Sequence, residues 1–124
     1  MIQYTSKLLK HFSEPHNQGS IKDADAVGQV GNKRCGDIMK LYLKIKDEKI
    51  TDIKFETLGC AAAIATSSVL TDLAKGRTLD DALKISKDDI VKELDGIPAP
   101  KFHCSILAEE ALKVAIDDYR KKNK

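Results

Sequence analysis

An α+β fold, a small three-stranded antiparallel sheet with helices packed on one face, is predicted by three features of the sequence. Residues 39–46 alternate apolar and polar side chains at a period of two, and residues 50–58 repeat that period after a short turn, Asp47-Glu48-Lys49. Beyond Gly59 the apolar period changes to 3.6. Strands therefore cluster early and helices late, the order of an α+β domain. Connections this short imply hairpins, hence antiparallel pairing.

Each element follows from its own residues. Residues 4–12 predict a short first helix, with Leu8, Leu9 and Phe12 at helical spacing. Glu14-Pro15-His16-Asn17-Gln18-Gly19 ends it in a loop. Residues 26–33 carry Val27, Val30 and two glycines, a weak strand signal, and Gly28-Gln29-Val30-Gly31 reads as turn or strand-edge glycine usage. The second strand presents Met39, Leu41, Leu43 and Ile45 to one side, and the third places Ile53, Phe55 and Thr57 on one face. Ala61, Ile64, Ala65, Val69 and Leu73 form a helical stripe, with Gly76 as its stop. Thr78-Leu79-Asp80-Asp81 and Ser86-Lys87-Asp88-Asp89 have the form of capping boxes with Asp in place of Glu, each opening a short helix. Asp95-Gly96-Ile97-Pro98-Ala99-Pro100 is expected to be irregular, because two prolines bar a helix. A last helix over residues 102–120 carries Leu107, Ala108, Ala111, Val114 and Ala115 on its apolar face. Lys121, Lys122 and Lys124 then form a solvated tail that complements its dipole.

Composition narrows the function classes. The 124 residues are expected to form one domain, 1–124. With 21 basic and 19 acidic residues the net charge is +2, and 42% of residues are hydrophobic, an ordinary soluble composition. Mixed charge of this kind lacks the basic footprint of a nucleic-acid binder. The longest apolar run, residues 60–65, falls far short of the ~20 residues of a membrane span. The amino end, Met1-Ile2-Gln3-Tyr4-Thr5-Ser6-Lys7, has no signal-peptide apolar region. Three cysteines, none near another, argue against a secreted disulfide framework and for a reducing compartment. The expectation is a cytoplasmic protein without nucleic-acid or membrane partners.

The cysteines carry the sharpest signal, because all three fall at element boundaries. Cys35 precedes the strongest strand in Lys33-Arg34-Cys35-Gly36-Asp37, Cys60 lies where the third strand meets a helix, and Cys104 lies just inside the last helix. Free cysteines commonly serve as small buried hydrophobes. Two at helix starts, however, meet the dipole and free N–H groups that stabilise a thiolate, the form that binds soft metals. Asp37 is two residues from Cys35, on the same face of an extended loop, and Gly36 between them lets the backbone approach. His103 adds an imidazole beside Cys104. Three sulfurs with a carboxylate or an imidazole fall one thiolate short of a permanent iron–sulfur site and leave one corner exchangeable. The same atoms suit a Cys3His zinc site, and spacing does not separate the two.

A thiol enzyme is the other class. Cys35 or Cys104 would be the nucleophile, with His11, His16 or His103 as base. His103 and Cys104 project about 100° apart around a helix, a poor geometry for that contact. No nucleophile elbow, Walker loop or dinucleotide fingerprint occurs. His11 and His16 flank a helix end and read as solvated or capping residues rather than ligands.

Cys35-Gly36-Asp37, the run from Gly59-Cys60-Ala61-Ala62 to Ser68, and His103-Cys104-Ser105-Ile106-Leu107-Ala108 resemble the three motifs of the IscU/NifU-type iron–sulfur cluster assembly scaffolds. The resemblance runs from the Tyr4 region through Pro15-His16-Asn17-Gln18-Gly19 to Tyr119. It implies a small antiparallel sheet with helices on one face, and an assembly platform rather than an enzyme. It further implies a [2Fe-2S] cluster built on Cys35, Cys60 and Cys104, with Asp37 and His103 as candidates for the remaining coordination and Cys104 as first acceptor of persulfide sulfur. Sulfur would come from a pyridoxal-phosphate (PLP) cysteine desulfurase, and the cluster would pass to carriers or apo-iron–sulfur proteins. Zinc at the same place is a family property, so a zinc-binding sulfur acceptor that stimulates the desulfurase is the alternative. The short span from Cys60 to Cys104 and the presence of His103 favour the scaffold branch over the zinc-dependent SufU branch. Ile97-Pro98-Ala99-Pro100-Lys101 keeps only the first proline and the lysine of the family's Leu-Pro-Pro-Val-Lys stretch, which puts docking of a dedicated Hsp70-type chaperone in doubt. Ending at Lys124, the chain is expected to lack the further cluster-binding domains of full NifU.

Overall fold

The computed structural model describes residues 4–32 and 37–122, with backbone only at 32 and 37. Three strands, β1 (Ala26–Asn32), β2 (Asp37–Lys46) and β3 (Lys49–Leu58), pair in sequence order, both pairs antiparallel. The β2–β3 hairpin closes through Asp47 and Glu48, both at positive φ (53° and 62°), as a two-residue turn between right-twisted strands requires. Register places Ile38 opposite Leu58 and Asn32 opposite Asp37, with one irregularity between Lys44 and Ile45.

The strand alternation sorts side chains as expected. Met39, Leu41, Leu43 and Ile45 of β2 and Ile50, Ile53 and Phe55 of β3 enter the core. Full burial of one such side chain contributes roughly 1.5–3 kcal/mol. Thr57 is only partly buried. On the opposite face the Tyr42 hydroxyl donates to the Glu56 carboxylate, which raises the Tyr42 pKa above its ordinary value, and Lys40 Nζ lies 5.3 Å from the Tyr42 ring centroid.

The helices cover the apolar face. They are α1 (Ser6–Ser13), α2 (Ala61–Ala74), α3 (Leu79–Ala82), α4 (Lys87–Glu93) and α5 (His103–Lys122). α2 lies against β3, α5 against β1 and β2, and α1 and α4 pack on α2. This is the α+β arrangement that the sequence predicts. Thr5 caps α1 by accepting the Leu8 N–H at 3.0 Å. Only Leu8 of the α1 stripe is buried; Leu9 and Phe12 stand exposed. Ser86 and Asp89 form the full reciprocal box at α4, and Thr78 accepts the Asp81 N–H at the start of α3.

Four differences from the sequence reading have physical reasons. First, α2 is buried nearly all round, well beyond its stripe, while Ala61, Ile64 and Leu73 of the stripe are only partly covered. Its hydroxyl residues tolerate this by donating back to their own helix: Ser67 to the Ala63 carbonyl at 2.7 Å, Thr71 to the Ser68 carbonyl at 2.7 Å. Second, Val114 is exposed, because the buried face of α5 runs through Leu107, Ala108, Ala111, Leu112, Ala115 and Ile116 and turns away from it. Third, a 3-10 turn, Ala99–Lys101, forms inside the segment expected to be irregular; Pro100 sits in its first turn, where a missing N–H costs nothing. Fourth, Gly28 lies on edge strand β1, yet it answers a packing demand. A Cβ there would lie 2.6 Å from the Ala111 carbonyl oxygen and the Ala115 nitrogen of α5. At the carboxyl end Lys121 and Lys122 are exposed, as expected of a solvated tail, and also pair with Asp117 and Asp118 at 3.0 and 3.1 Å. No described helix is long and apolar enough to cross a membrane.

Candidate metal centre

The end of the sheet where Ile38 pairs with Leu58 is also where Asn32 pairs with Asp37, so the end of β1, the start of β2 and the β3–α2 junction share one end of the sheet. Leu58 there is 69% exposed. After Gly59 the chain stays extended at Cys60 (φ −84°, ψ 179°), which stands at the N-cap of α2 without using its side chain as a cap. The Cys60 thiol is thus uncommitted to the helix it precedes, and it is partly exposed.

Cys104 is the second residue of α5 and only 2% exposed. It packs with Ala62 and Ala63, whose small side chains let the start of α5 close onto the start of α2, and Tyr4 and Cys60 border the cluster. Thr66 Oγ1 donates to the Cys104 carbonyl at 3.4 Å, tying the two helices together there. The two sulfurs come within 3.9 Å of each other. A disulfide needs about 2.05 Å. Two sulfurs that are each ~2.3 Å from one tetrahedral ion lie about 3.8 Å apart, so the observed separation suits two thiolates on one metal. His103 Nε2 reaches Cys104 Sγ at 3.6 Å. The angular argument from helical projection therefore misjudges this pair: it gives the directions of the two Cβ atoms, but the long imidazole spans the gap.

Of the five residues that the sequence nominates, the fold brings Cys60, Cys104 and His103 into one chain of contacts. Cys35 and the Asp37 side chain lie outside the described residues, as do Lys33, Arg34 and Gly36; the Asp37 backbone begins β2 at the same end of the sheet as Leu58.

One cluster was not legible as such. His11, His16 and Asp72 place their ligand atoms within 4.8 Å of one another, the only described trio of His, Cys, Asp or Glu to do so. His11 Nδ1 lies 2.8 Å from Ser68 Oγ and His16 Nδ1 2.6 Å from Asp72 Oδ2, so both rings are hydrogen-bonded as well as solvated. Sequence offered the two histidines but not Asp72, which lies 56 positions from His16.

Residues 3–124 match the family described as the NifU-like N terminal domain. The chain is similar to the iron–sulfur cluster assembly scaffold protein IscU 1 of Archaeoglobus fulgidus, 56% identical over 120 residues that cover 97% of this chain and 78% of that protein. It is similar to the iron–sulfur cluster assembly scaffold protein IscU of Aquifex aeolicus, 46% identical over 98% of this chain and 78% of the relative. Among solved structures, the N-terminal part of a nitrogen-fixing NifU-like protein from Brucella abortus superposes with a TM-score of 0.74 at 26% identity, covering 94% of each chain.

Proposed function

The chain belongs to the NifU-like N-terminal domain family, and from that membership we propose that it is an iron–sulfur cluster assembly scaffold, a platform rather than an enzyme. Its cargo is a [2Fe-2S] cluster on Cys35, Cys60 and Cys104, with Asp37 or His103 at the exchangeable position. Sulfur arrives from a PLP-dependent cysteine desulfurase, and Cys104 accepts it first. The finished cluster leaves to carriers or apo-iron–sulfur proteins. The observation that supports this best is the pair of unbridged sulfurs, 3.9 Å apart, at two helix starts. A set one thiolate short of four holds a cluster while leaving it removable. The exposed Leu58 beside Cys60, and Leu9 and Phe12 on α1, offer apolar surface for such partners. The chain acts as one unit in a reducing compartment, the cytoplasm, where thiols such as those of Cys60 and Cys104 stay unbridged.

A second reading, a zinc-binding sulfur acceptor that stimulates the desulfurase, draws support from the imidazole 3.6 Å from Cys104, since S, S and N donors also suit zinc. Anaerobic incubation with ferrous iron, cysteine and a desulfurase separates the two. The scaffold reading expects sulfur-to-iron charge-transfer absorption with about two irons per chain. A colourless protein that keeps one zinc and only accelerates the desulfurase would overturn it.

A further inference from the structure

At the other end of α2 lies a group of side chains that cluster assembly does not use. His11 stands in the last turn of α1, His16 follows in the loop, and Asp72 stands near the end of α2. We propose that His11, His16 and Asp72 form a second cation site, for a divalent transition metal of the ferrous or zinc class. Their ligand atoms lie within 4.8 Å of one another, and the two rings are 4.9 Å apart and tilted by 58°. Two imidazoles and a carboxylate are the donors that zinc and non-haem ferrous sites use, with open positions left for water.

The His11 ring, the Asp72 carboxylate and the His16 backbone are each held from behind. Ser68 Oγ, fully buried, lies 2.8 Å from His11 Nδ1 and accepts the His16 backbone N–H at 2.9 Å. Asn17 Nδ2 donates to Asp72 Oδ1 at 3.2 Å and to the buried Thr71 Oγ1 at 3.1 Å. Outer hydrogen bonds of this kind orient metal ligands and fix which ring nitrogen is presented.

The site is open to solvent: the His16 and Asp72 side chains are 53% and 41% exposed. Lys7, Lys10 and Glu93 line the same hollow with the two histidines. Lys7 is paired with Asp95 at 3.6 Å, and Glu93 adds a carboxylate to the hollow that Lys10 also lines. His16 Nδ1 lies 2.6 Å from Asp72 Oδ2, hydrogen-bond distance. A cation taking both atoms replaces the hydrogen bond between them, its proton passing to solvent. Asp72 is about 18 Å along α2 from Cys60, at 1.5 Å per residue, so the site is separate from the thiols.

Anaerobic titration of the full chain with cobalt(II) tests the proposal. Thiolate-bound cobalt gives near-ultraviolet sulfur-to-metal charge transfer, and cobalt on nitrogen and oxygen does not. Two equivalents are expected, the second without charge transfer. His16→Ala and Asp72→Asn, both at exposed positions, should each weaken that equivalent by roughly 10- to 100-fold or more while the charge-transfer equivalent persists. Absence of the second equivalent in the wild type, or its unchanged affinity in both variants, would overturn the site. The charge-transfer band reads the thiolate centre independently, so failure of one assignment is distinguishable from failure of the other.

Discussion

Two sulfurs 3.9 Å apart with an imidazole against one of them make the residue-scale claims specific. Cys60→Ser and Cys104→Ser should each leave little cluster after reconstitution, read as charge-transfer absorption per chain. Because Cys104 is buried, its variant is checked by circular dichroism, and a folded protein with normal cluster yield would remove it from the ligand set. Asp37 is expected to set how readily the cluster leaves, since a carboxylate is a harder, more weakly held ligand in a sulfur-rich site. Asp37→Ala should give a longer-lived cluster that transfers more slowly to apo-ferredoxin; equal rates for variant and wild type would contradict that role. A fourth residue reports on acid stability. Asp118 accepts the Val27 N–H at 3.2 Å, and this bond, then Lys122, lowers its pKa from the ordinary 3.8. A carboxylate depressed in the folded state stabilises the protein above its unfolded pKa and loses that contribution as pH falls through the folded value. Asp118→Asn should therefore lower stability at pH 7 by about 1 kcal/mol and leave it little changed near pH 2, measured by urea unfolding at both. Cys60 and Cys104 were legible because helix starts are local signals. The His103 contact was not, since helical projection ignores the reach of the side chain.

At the scale of elements, close approach between β1 and α5 is the constraint that sequence concealed. Gly28 read as a turn or edge residue, but the α5 backbone occupies the space of its missing Cβ. Gly28→Ala should force the helix off the strand and cost about 1–3 kcal/mol in urea unfolding, and an unchanged midpoint would show that α5 has slack there. The strands β2 and β3 were readable because one face is core and the other carries Lys40, Tyr42, Lys44 and Glu56, so the period of two is written in side-chain type. α2 was only half readable. Thr66, Ser67, Ser68 and Thr71 look solvent-facing in sequence, and their burial depends on hydrogen bonds to the helix's own carbonyls and to α1 and its loop. The Ala99–Lys101 turn shows the same limit: two prolines forbid a helix interior but leave its first turn open.

For the whole molecule, the thiols tie the start of α2 to the start of α5, segments far apart in sequence, so a metal that binds them binds only the folded arrangement. Zinc at a hundredfold excess over its dissociation constant should stabilise the fold by about 2.7 kcal/mol, or roughly 10 °C in melting temperature. Cys60→Ser should lose most of that shift, and identical melting curves with and without zinc would separate metal binding from folding. The fold class was legible because three strands and the later helices carry distinct periods, whereas the meeting of Cys60 with Cys104 is a product of tertiary packing around Ala62 and Ala63. The central claim is that a cluster is assembled here in order to leave. The most direct measurement loads the protein with a cluster, adds apo-ferredoxin in the presence of an iron chelator, and follows the ferredoxin's circular dichroism. Scaffold function predicts holo-ferredoxin in proportion to cluster lost, with little iron trapped by the chelator. Iron appearing on the chelator while ferredoxin stays apo would contradict it.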